Sequence, residues 1–369
     1  MSDLIPPLAS DGNILAEVNG CLGLITLNRL QALNALSLAM IRDMTALLHH
    51  WAAHPQIQAV AVLGAPREGK PPAFCAGGDI RFFHQAALAG DPALGDFFTE
   101  EYRLNYLIHH YPKPYVALMD GIVMGGGMGI SQGSKLRVLS ERSTLAMPET
   151  GIGLFPDVGG GWFLAQCPGH IGEWLALTGQ TVGASDAITW GLGDVFVGAE
   201  HWPTMIDNLR HGEQPSAEHV VATVMERCDI APSSDTPVAQ VDRHFGQPTL
   251  PAILASLAQA DDEWARRTLQ TLQGRSPTMM AVTLELVRRA RHLDLADDLR
   301  LERDLVHHAF HLRGASASET VEGIRALAID KDHAPRWQPA TVAGVDPAEV
   351  AAFFASPWAL AEHPLRDLQ

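Results

Sequence analysis

The sequence lacks any uninterrupted apolar run of about 18 residues, the length a membrane-crossing helix needs, although apolar residues make up 47% of its 369 positions. No membrane partner is expected, and enough apolar side chains remain for a substantial core. Cysteine is scarce: Cys21, Cys75, Cys167 and Cys228 are scattered and no CxxC occurs. They read as reduced thiols in a cytosol. Positive charge is in deficit, with a formal net charge of −16. This argues against nucleic acid or an acidic membrane as the main partner, though not against a small anionic ligand held by a local basic cluster. The start, MSDLIPPLASDGN, has neither a basic n-region nor an Arg-rich transit pattern, so a cytoplasmic location is the expectation. Catalytic signatures are missing too. The 17 histidines form no HExxH, and there is no GxSxG. The expectation is no metal site, no added cofactor and no serine nucleophile.

What is present reads as α/β. Residues 13–28 have a hairpin pattern around Asn19-Gly20. Residues 35–52 carry helical apolar spacing through Leu38, Ile41, Met44 and Leu48. QAVAVLG (58–64), YVALMDG (115–121) and LRVLS (136–140) are short buried-strand runs. Strands alternating with helices predict mostly parallel pairing. The polar stretches HGEQPSAEHV and APSSDTPVAQ suggest a connection or insertion, and beyond about residue 252 the pattern is helical, opened in one place by Ser276-Pro277 as N-cap and N1. The expected organisation is a core over 1–210, a connecting segment over 211–250 and a helical region over 251–369.

Glycine-rich turns carry the chemistry. Gly64 to Lys70 fits GxxxxGK, but Pro71 follows where a hydroxyl should open a helix, so a nucleotide P-loop fails. AFCAGGDIRFF (73–83) and DGIVMGGGMGISQG (120–133) each run from a strand through glycines into a helix. Such turns aim backbone N–H groups at a ligand and could stabilise an oxyanion. They would equally suit tight packing of a helix on a sheet. Ile130 breaks a dinucleotide GxGxxG. In MPETGIGLFPDVGGG (147–161), Glu149 and Asp157 lie eight positions apart among Met147, Ile152, Leu154, Phe155 and Val158. A carboxylate in apolar company is costly unless paired or put to use. Paired amides followed by two carboxylates would suit attack on a carbonyl.

LNRLQALNAL, AFCAGGDIR, GIVMGGGMGIS and MPETGIGLFPDVGGG together resemble the crotonase, or enoyl-CoA hydratase/isomerase, superfamily. EEYRLN (100–105), KPYVAL (113–118), LALTG (175–179), RSPT (275–278) and IDKDHAPRW (329–337) resemble its 3-hydroxyisobutyryl-CoA hydrolase branch. The resemblance implies an α/β, crotonase-like spiral of ββα units with a helical C-terminal region. It implies an acyl-CoA substrate, CoA being part of that substrate, whose carbonyl is held by the amides of Gly78 and Gly126, with Gly125 at the acyl group. It puts the CoA adenine end at Ala32, Leu33, Ala35, Asp79 and Ile80, and Glu149 at the family's catalytic glutamate. The hydratases need a second glutamate where this chain has Gly129, which cannot act as acid or base. The hydrolase branch pairs Glu149 with Asp157 instead. Glu101 lies about 40° from Phe97 on a helical wheel, near Leu104 and Ile108, and in that branch contacts the acyl group. Hydrolysis of a short 3-hydroxyacyl-CoA, 3-hydroxyisobutyryl-CoA of valine breakdown first, is therefore expected. An atypical hydratase/isomerase and a silent binding protein are the rivals. A homo-oligomer is possible in this superfamily.

Overall fold

The computed structural model describes residues 4–226, 228, 229, 231, 233 and 236–369. The first three residues of MSDLIPPLASDGN and positions 232, 234 and 235 of APSSDTPVAQ lie outside the described residues. Strand β1 (Ile14–Asn19) and strand β2 (Leu22–Leu27) form the expected antiparallel hairpin, register Ile14–Leu27 to Asn19–Leu22. Its turn uses Gly20 at φ +57°. Helix α1 (Leu38–Ala53) starts later than the apolar spacing suggests, because Ser37 accepts a hydrogen bond from the Met40 amide and so caps it. There follow β3 (Ala59–Gly64), β4 (Ala73–Cys75), α2 (Ile80–Ala89), α3 (Ala93–His109), β5 (Tyr115–Met119), β6 (Ile122–Met124), α4 (Gly126–Gln132), β7 (Leu136–Leu139) and β8 (Thr144–Ala146). Next come α5 (Gly160–Ala165), α6 (Ile171–Thr178), α7 (Ala184–Thr189), β9 (Val195–Phe196), α8 (Trp202–His211) and α9 (Ala217–Met225). The rest is helical: α10 (Val238–Phe245), α11 (Leu250–Gln259), α12 (Glu263–Gln273), α13 (Pro277–Ala290), α14 (Leu295–His311), α15 (Glu319–Ile324) and α16 (Pro347–Phe353).

The chain divides into two compact units interleaved in sequence. The first comprises Met1–Gly78, Arg103–Leu145 and Val182–Asp235; the second comprises Asp79–Tyr102, Ala146–Thr181 and Thr236–Gln369. In the first unit, one sheet has the order β1-β2-β3-β5-β7-β9, parallel from β2 onward. A second, three-stranded sheet has the order β4-β6-β8. The period-2 alternation of strands sends Leu22, Leu24, Ala59, Ala61, Leu63, Val116, Leu118 and Val138 to one face of the large sheet. There they pack on Trp202, Met205 and Leu209 of α8 and on Val220 and Val224 of α9. Gly23 points the other way, where any Cβ would meet the Trp51 ring of α1 at 2.6 Å. The 211–250 segment thus holds two helices, α9 and α10, the first capped by Ser216 and buried through Val220 and Val224.

In the second unit α13 lies against α5 and α6, and α15 against α2 and α14. Ser276 caps α13 as its Ser-Pro sequence suggests, accepting from the Met279 amide. Phe83, Phe97, Phe98, Tyr102 and Phe310 form an aromatic cluster with adjacent ring centroids 4.7 to 6.1 Å apart. None of the described helices is long and apolar enough to cross a membrane.

Candidate active site

Strands β4 and β6 are parallel neighbours in the register Ala73–Ile122 and Cys75–Val123, so both deliver their C-terminal ends at the same edge. Each ends in a conformation that needs glycine. Gly77 sits at φ +107°, and Gly125, the N-cap of α4, at φ +49°, ψ −120°. A Cβ on Gly77 would lie 3.4 Å from the Met124 carbonyl oxygen and 3.7 Å from the Gly126 nitrogen, so the two turns abut. A Cβ on Gly127 would lie 2.3 Å from the Cys75 carbonyl oxygen, which explains the run of glycines as close backbone packing. Gly126 is the first residue of α4, so its N–H has no partner inside the helix. Neither it nor the Gly78 N–H donates a hydrogen bond among the described residues. The 32–36 segment pairs with the strand that leads into Gly78. The Leu36 amide donates to the Gly77 oxygen (2.8 Å) and the Ala76 amide to the Leu33 oxygen (3.0 Å). Asn34 Nδ2 donates to the Ala73 oxygen (2.9 Å). Leu33 and Asn34 take left-handed φ values of +53° and +60° to make this turn, and Ala32, Leu33 and Ala35 are half-buried.

The carboxylates belong to the second unit. Glu149 opens a short 3-10 turn (Glu149–Ile152) closed by Gly153 at φ +68°. This turn is braced from three directions. The Ser276 amide donates to the Thr150 oxygen (3.1 Å), Thr150 Oγ1 to the Leu177 oxygen (3.0 Å) and Thr320 Oγ1 to the Gly153 oxygen (2.6 Å). Arg275 donates through Nε to the Thr178 oxygen (3.0 Å), and its Nη1 would be 2.4 Å from a Cβ on Gly151. Glu149 is 6% exposed, and its Oε2 is buried without a hydrogen-bond partner. Burial pushes its carboxyl well above the usual range. Asp157 adds to the rise, while Arg275 partly offsets it.

Asp157 is equally buried and sits at the entry to α5. Tyr102 Oη donates to its Oδ2 at 2.8 Å. Burial raises its pKa to about 6 and the Tyr102 hydrogen bond opposes that rise. Val158 follows at φ +59°, a left-handed conformation that costs a β-branched residue about 1–3 kcal/mol and persists only where its surroundings hold it. Gly159, the N-cap of α5, is at φ +84°, a left-handed conformation that favours glycine over the usual side-chain caps, and it offers no side-chain cap. The amides of this helix start therefore find distant acceptors. The Gly159 N–H donates to Glu302 Oε2 (2.8 Å), Gly161 to Glu302 Oε1 (2.9 Å) and Trp162 to Asp298 Oδ2 (3.0 Å). The Gly160 N–H donates to the carbonyl oxygen of Asp157 itself (2.8 Å). Glu302 and Asp298 lie one turn apart on α14 and are fully buried. Burial pushes Asp298 up to about 7; burial, Asp298 and Asp157 push Glu302 well above the carboxylate range.

Glu101 is 2% exposed, with Oε1 lacking a partner. Its pKa is raised by burial, then by Asp157 and Glu149. Glu101, Glu149 and Asp157 thus form one electrostatically linked set of buried carboxyl groups, each disfavouring ionisation of the others. Such a set can hold a proton near neutrality, accept one from a nucleophile, or hydrogen-bond a ligand hydroxyl.

A family model described as Enoyl-CoA hydratase/isomerase matches residues 22–354. The chain belongs to this family. It is similar to the mitochondrial 3-hydroxyisobutyryl-CoA hydrolase of Xenopus tropicalis, 39% identical over 354 residues that cover 94% of this chain and 89% of that protein. Among solved structures it is similar to an enoyl-CoA hydratase from Rhodobacter sphaeroides 2.4.1, with 39% identity, a TM-score of 0.83, and 94% of this chain and 98% of that one covered. It is also similar to a carnitinyl-CoA dehydratase from Mycobacterium thermoresistibile, with 36% identity, a TM-score of 0.84, and 97% and 99% covered. The α/β, crotonase-like architecture read from the sequence is the one found.

Of the residues singled out from the sequence, Glu101, Glu149 and Asp157 come together in the second unit. Gly78, Gly125 and Gly126 come together in the first, with Ala32, Leu33 and Ala35 beside the strand that precedes them. Asp79 is the N-cap of α2, accepting from the Phe82 amide at 3.2 Å, and Ile80 is that helix's first residue. Four side chains of the carboxylate cluster were not singled out in the sequence: Tyr102, Arg275, Asp298 and Glu302. Tyr102 and Arg275 stand inside EEYRLN and RSPT, which marked the branch without marking a role. Asp298 and Glu302 had one signal, two like charges at i and i+4, a spacing disfavoured on a solvated helix.

Proposed function

We propose that this protein is an acyl-CoA thioester hydrolase acting on a short 3-hydroxyacyl-CoA, with 3-hydroxyisobutyryl-CoA as the first candidate. The observation that carries the reading is the pair Glu149 and Asp157, both buried, both raised in pKa, with a Glu149 oxygen left unpartnered. The name of the Xenopus tropicalis relative supports it. Position 129 weighs against a hydratase or dehydratase, the names carried by the two structural neighbours. Gly129 offers no side chain to serve as the second acid–base group of enoyl hydration.

In this reading the thioester oxygen accepts from the Gly78 and Gly126 N–H groups, each contributing roughly 3 kcal/mol to the transition state. Gly125 borders the acyl group, and the backbone of Ala32, Leu33, Ala35, Asp79 and Ile80 receives the CoA adenine end. Glu101 accepts the substrate 3-hydroxyl. Glu149 acts on the carbonyl carbon in one of two ways: by direct attack, forming an anhydride that water then cleaves, or by taking a proton from an attacking water. In single turnover in ¹⁸O water, label in the Glu149 carboxylate identifies the anhydride route with water attacking the Glu149 carbonyl, since general-base attack puts the label only in the released acid. Asp157 orients the water or holds Glu149. The CoA thiolate is a good leaving group, a thiol pKa being about 8.5, so little acid assistance is needed. The four cysteines are free thiols, three of them buried, which suits a reducing, cytoplasmic setting.

The test is a panel of 3-hydroxyacyl-CoA and enoyl-CoA thioesters, followed in parallel by free-thiol release and by enoyl absorbance. Thiol release with no change in the enoyl band supports hydrolysis. Hydration without thiol release overturns it.

A further inference from the structure

The α14 carboxylate Glu302 is tied to the loop that carries Asp157 in a way that goes beyond capping a helix. Three amides at the start of α5, those of Gly159, Gly161 and Trp162, end on two α14 side chains, and Glu302 takes two of them, one on each oxygen. The Gly160 amide ends on the Asp157 carbonyl, so the peptide group of Asp157 is fixed by the same turn. Val158, at a left-handed φ of +59°, and Gly159 are the two central residues of the turn that this hydrogen bond closes. Gly159 has no side chain, and its φ of +84° disfavours one. A neighbour in sequence therefore cannot do what Glu302 does. Glu302 itself is 0% exposed and contacts no solvent that could supply an alternative acceptor.

We propose that Glu302 is a positioning residue for Asp157: its two carboxylate oxygens hold the strained Val158–Gly159 turn and thereby aim the Asp157 side chain toward its partner Tyr102. The inference rests on the reading that Asp157 takes part in thioester hydrolysis. Glu302→Gln is the sharpest probe. It keeps the shape, but one oxygen becomes an NH₂ facing a peptide N–H, so one of the two amides must let go. A misplacement of about 1 Å can cost about 100-fold in rate, and release of one of the two amides should cost about 10–100-fold. We expect kcat for thiol release to fall by that factor with KM changed less than about threefold. A purely structural role would lower the yield of folded enzyme and leave kcat per folded molecule intact.

A double-mutant cycle with Asp157→Asn reads the route of the effect. If Glu302 works through Asp157, then Glu302→Gln costs little or nothing further in the Asp157→Asn background. Additive losses in the cycle, or a Glu302→Gln enzyme with wild-type kcat while Asp157→Asn is slow, would overturn the inference. Wild-type kcat in Asp157→Asn alone would instead overturn the functional reading on which it rests. Should Glu302→Gln fail to accumulate, Glu302→Gln/Val158→Gly removes the strain that the carboxylate restrains. Recovery of folded protein with kcat still depressed then supports positioning, and full recovery of kcat refutes it.

Discussion

Replacing Tyr102 by Phe removes one oxygen and nothing else from a fully buried site. That oxygen donates to Asp157 Oδ2 at 2.8 Å, and it is the stronger of two hydrogen bonds, the other from the backbone, that hold the Asp157 pKa down against burial. Hydrogen bonds to charged groups are worth about 1.5–3 kcal/mol, and 1.36 kcal/mol corresponds to one pKa unit. The carboxyl of Asp157, now at about 6, should therefore rise by about 1–2 units. Asp157 titrates together with Glu149 and Glu101, so no single limb of a pH profile belongs to it alone. An active form that needs both Glu149 and Asp157 ionised depends, on its far acid side, on the sum of the two pKa values. The coupling therefore cannot hide the shift. The assay is kcat for thiol release from 3-hydroxyisobutyryl-CoA between about pH 5 and 9, read with a chromogenic thiol reagent. On that far acid side, where two protons are bound, we expect the limb of Tyr102→Phe to move by half the rise in the sum, about 0.5–1 unit toward alkaline pH, with wild-type rates regained near pH 9. An acid limb within about 0.3 unit of wild type would refute the claim that Asp157 works as an ionised acceptor beside Glu149.

Other consequences follow from the same groups. Glu149→Gln should abolish CoA release while acyl-CoA binding, measured by calorimetry, is nearly kept; unchanged turnover would remove its role. The raised pKa of Glu149 also carries a sign for stability. The buried group favours folding only while protonated, so that contribution is lost as pH rises through the folded pKa. Glu149→Gln should accordingly melt higher than wild type at pH 8 and lose the advantage in acid, and a lower Tm at pH 8 would contradict the burial cost. For Asp157 the window is defined: between its ordinary value of 3.8 and about 6, wild-type stability falls with rising pH. Asp157→Asn, besides a large but incomplete loss of kcat, should flatten that slope in chemical denaturation. Gly127→Ala thrusts a methyl to 2.3 Å from the Cys75 oxygen, and overpacking of this kind costs about 1–3 kcal/mol. Its Tm should drop with it, and a wild-type Tm would mean that β4 and α4 can separate freely.

The strands were legible because a parallel strand buried on both faces is a short apolar run: AVAVLG and YVALM could be little else. Boundaries shifted where backbone conformation overrode periodicity, as at Leu33 and Asn34 before α1, or at Gly121 (φ +81°), which ends the 115–121 run early. Glu101 was legible because one turn of a helical wheel put it among apolar neighbours. Glu302 and Asp298 were not. LADDLRLERDLVHH reads as a solvated, charged helix, and only contact with the backbone amides of Gly159, Gly161 and Trp162, some 140 positions earlier, accounts for their burial. The pairing of Tyr102 with Asp157 is likewise a long-range fact, with 55 positions between the partners. Periodicity records which side of an element is dry. It does not record which polar groups meet there.

The separation of 143 and 141 positions between Glu302 and the two amides it receives has a consequence during biosynthesis. Ribosomes deliver about 5–20 residues per second, so the segment bearing Asp157 emerges many seconds before α14 does. A nascent chain halted short of residue 302 should therefore carry both carboxylates of the 147–161 segment and still be inert. Ripening of the enzyme waits on about the last fifth of its own translation.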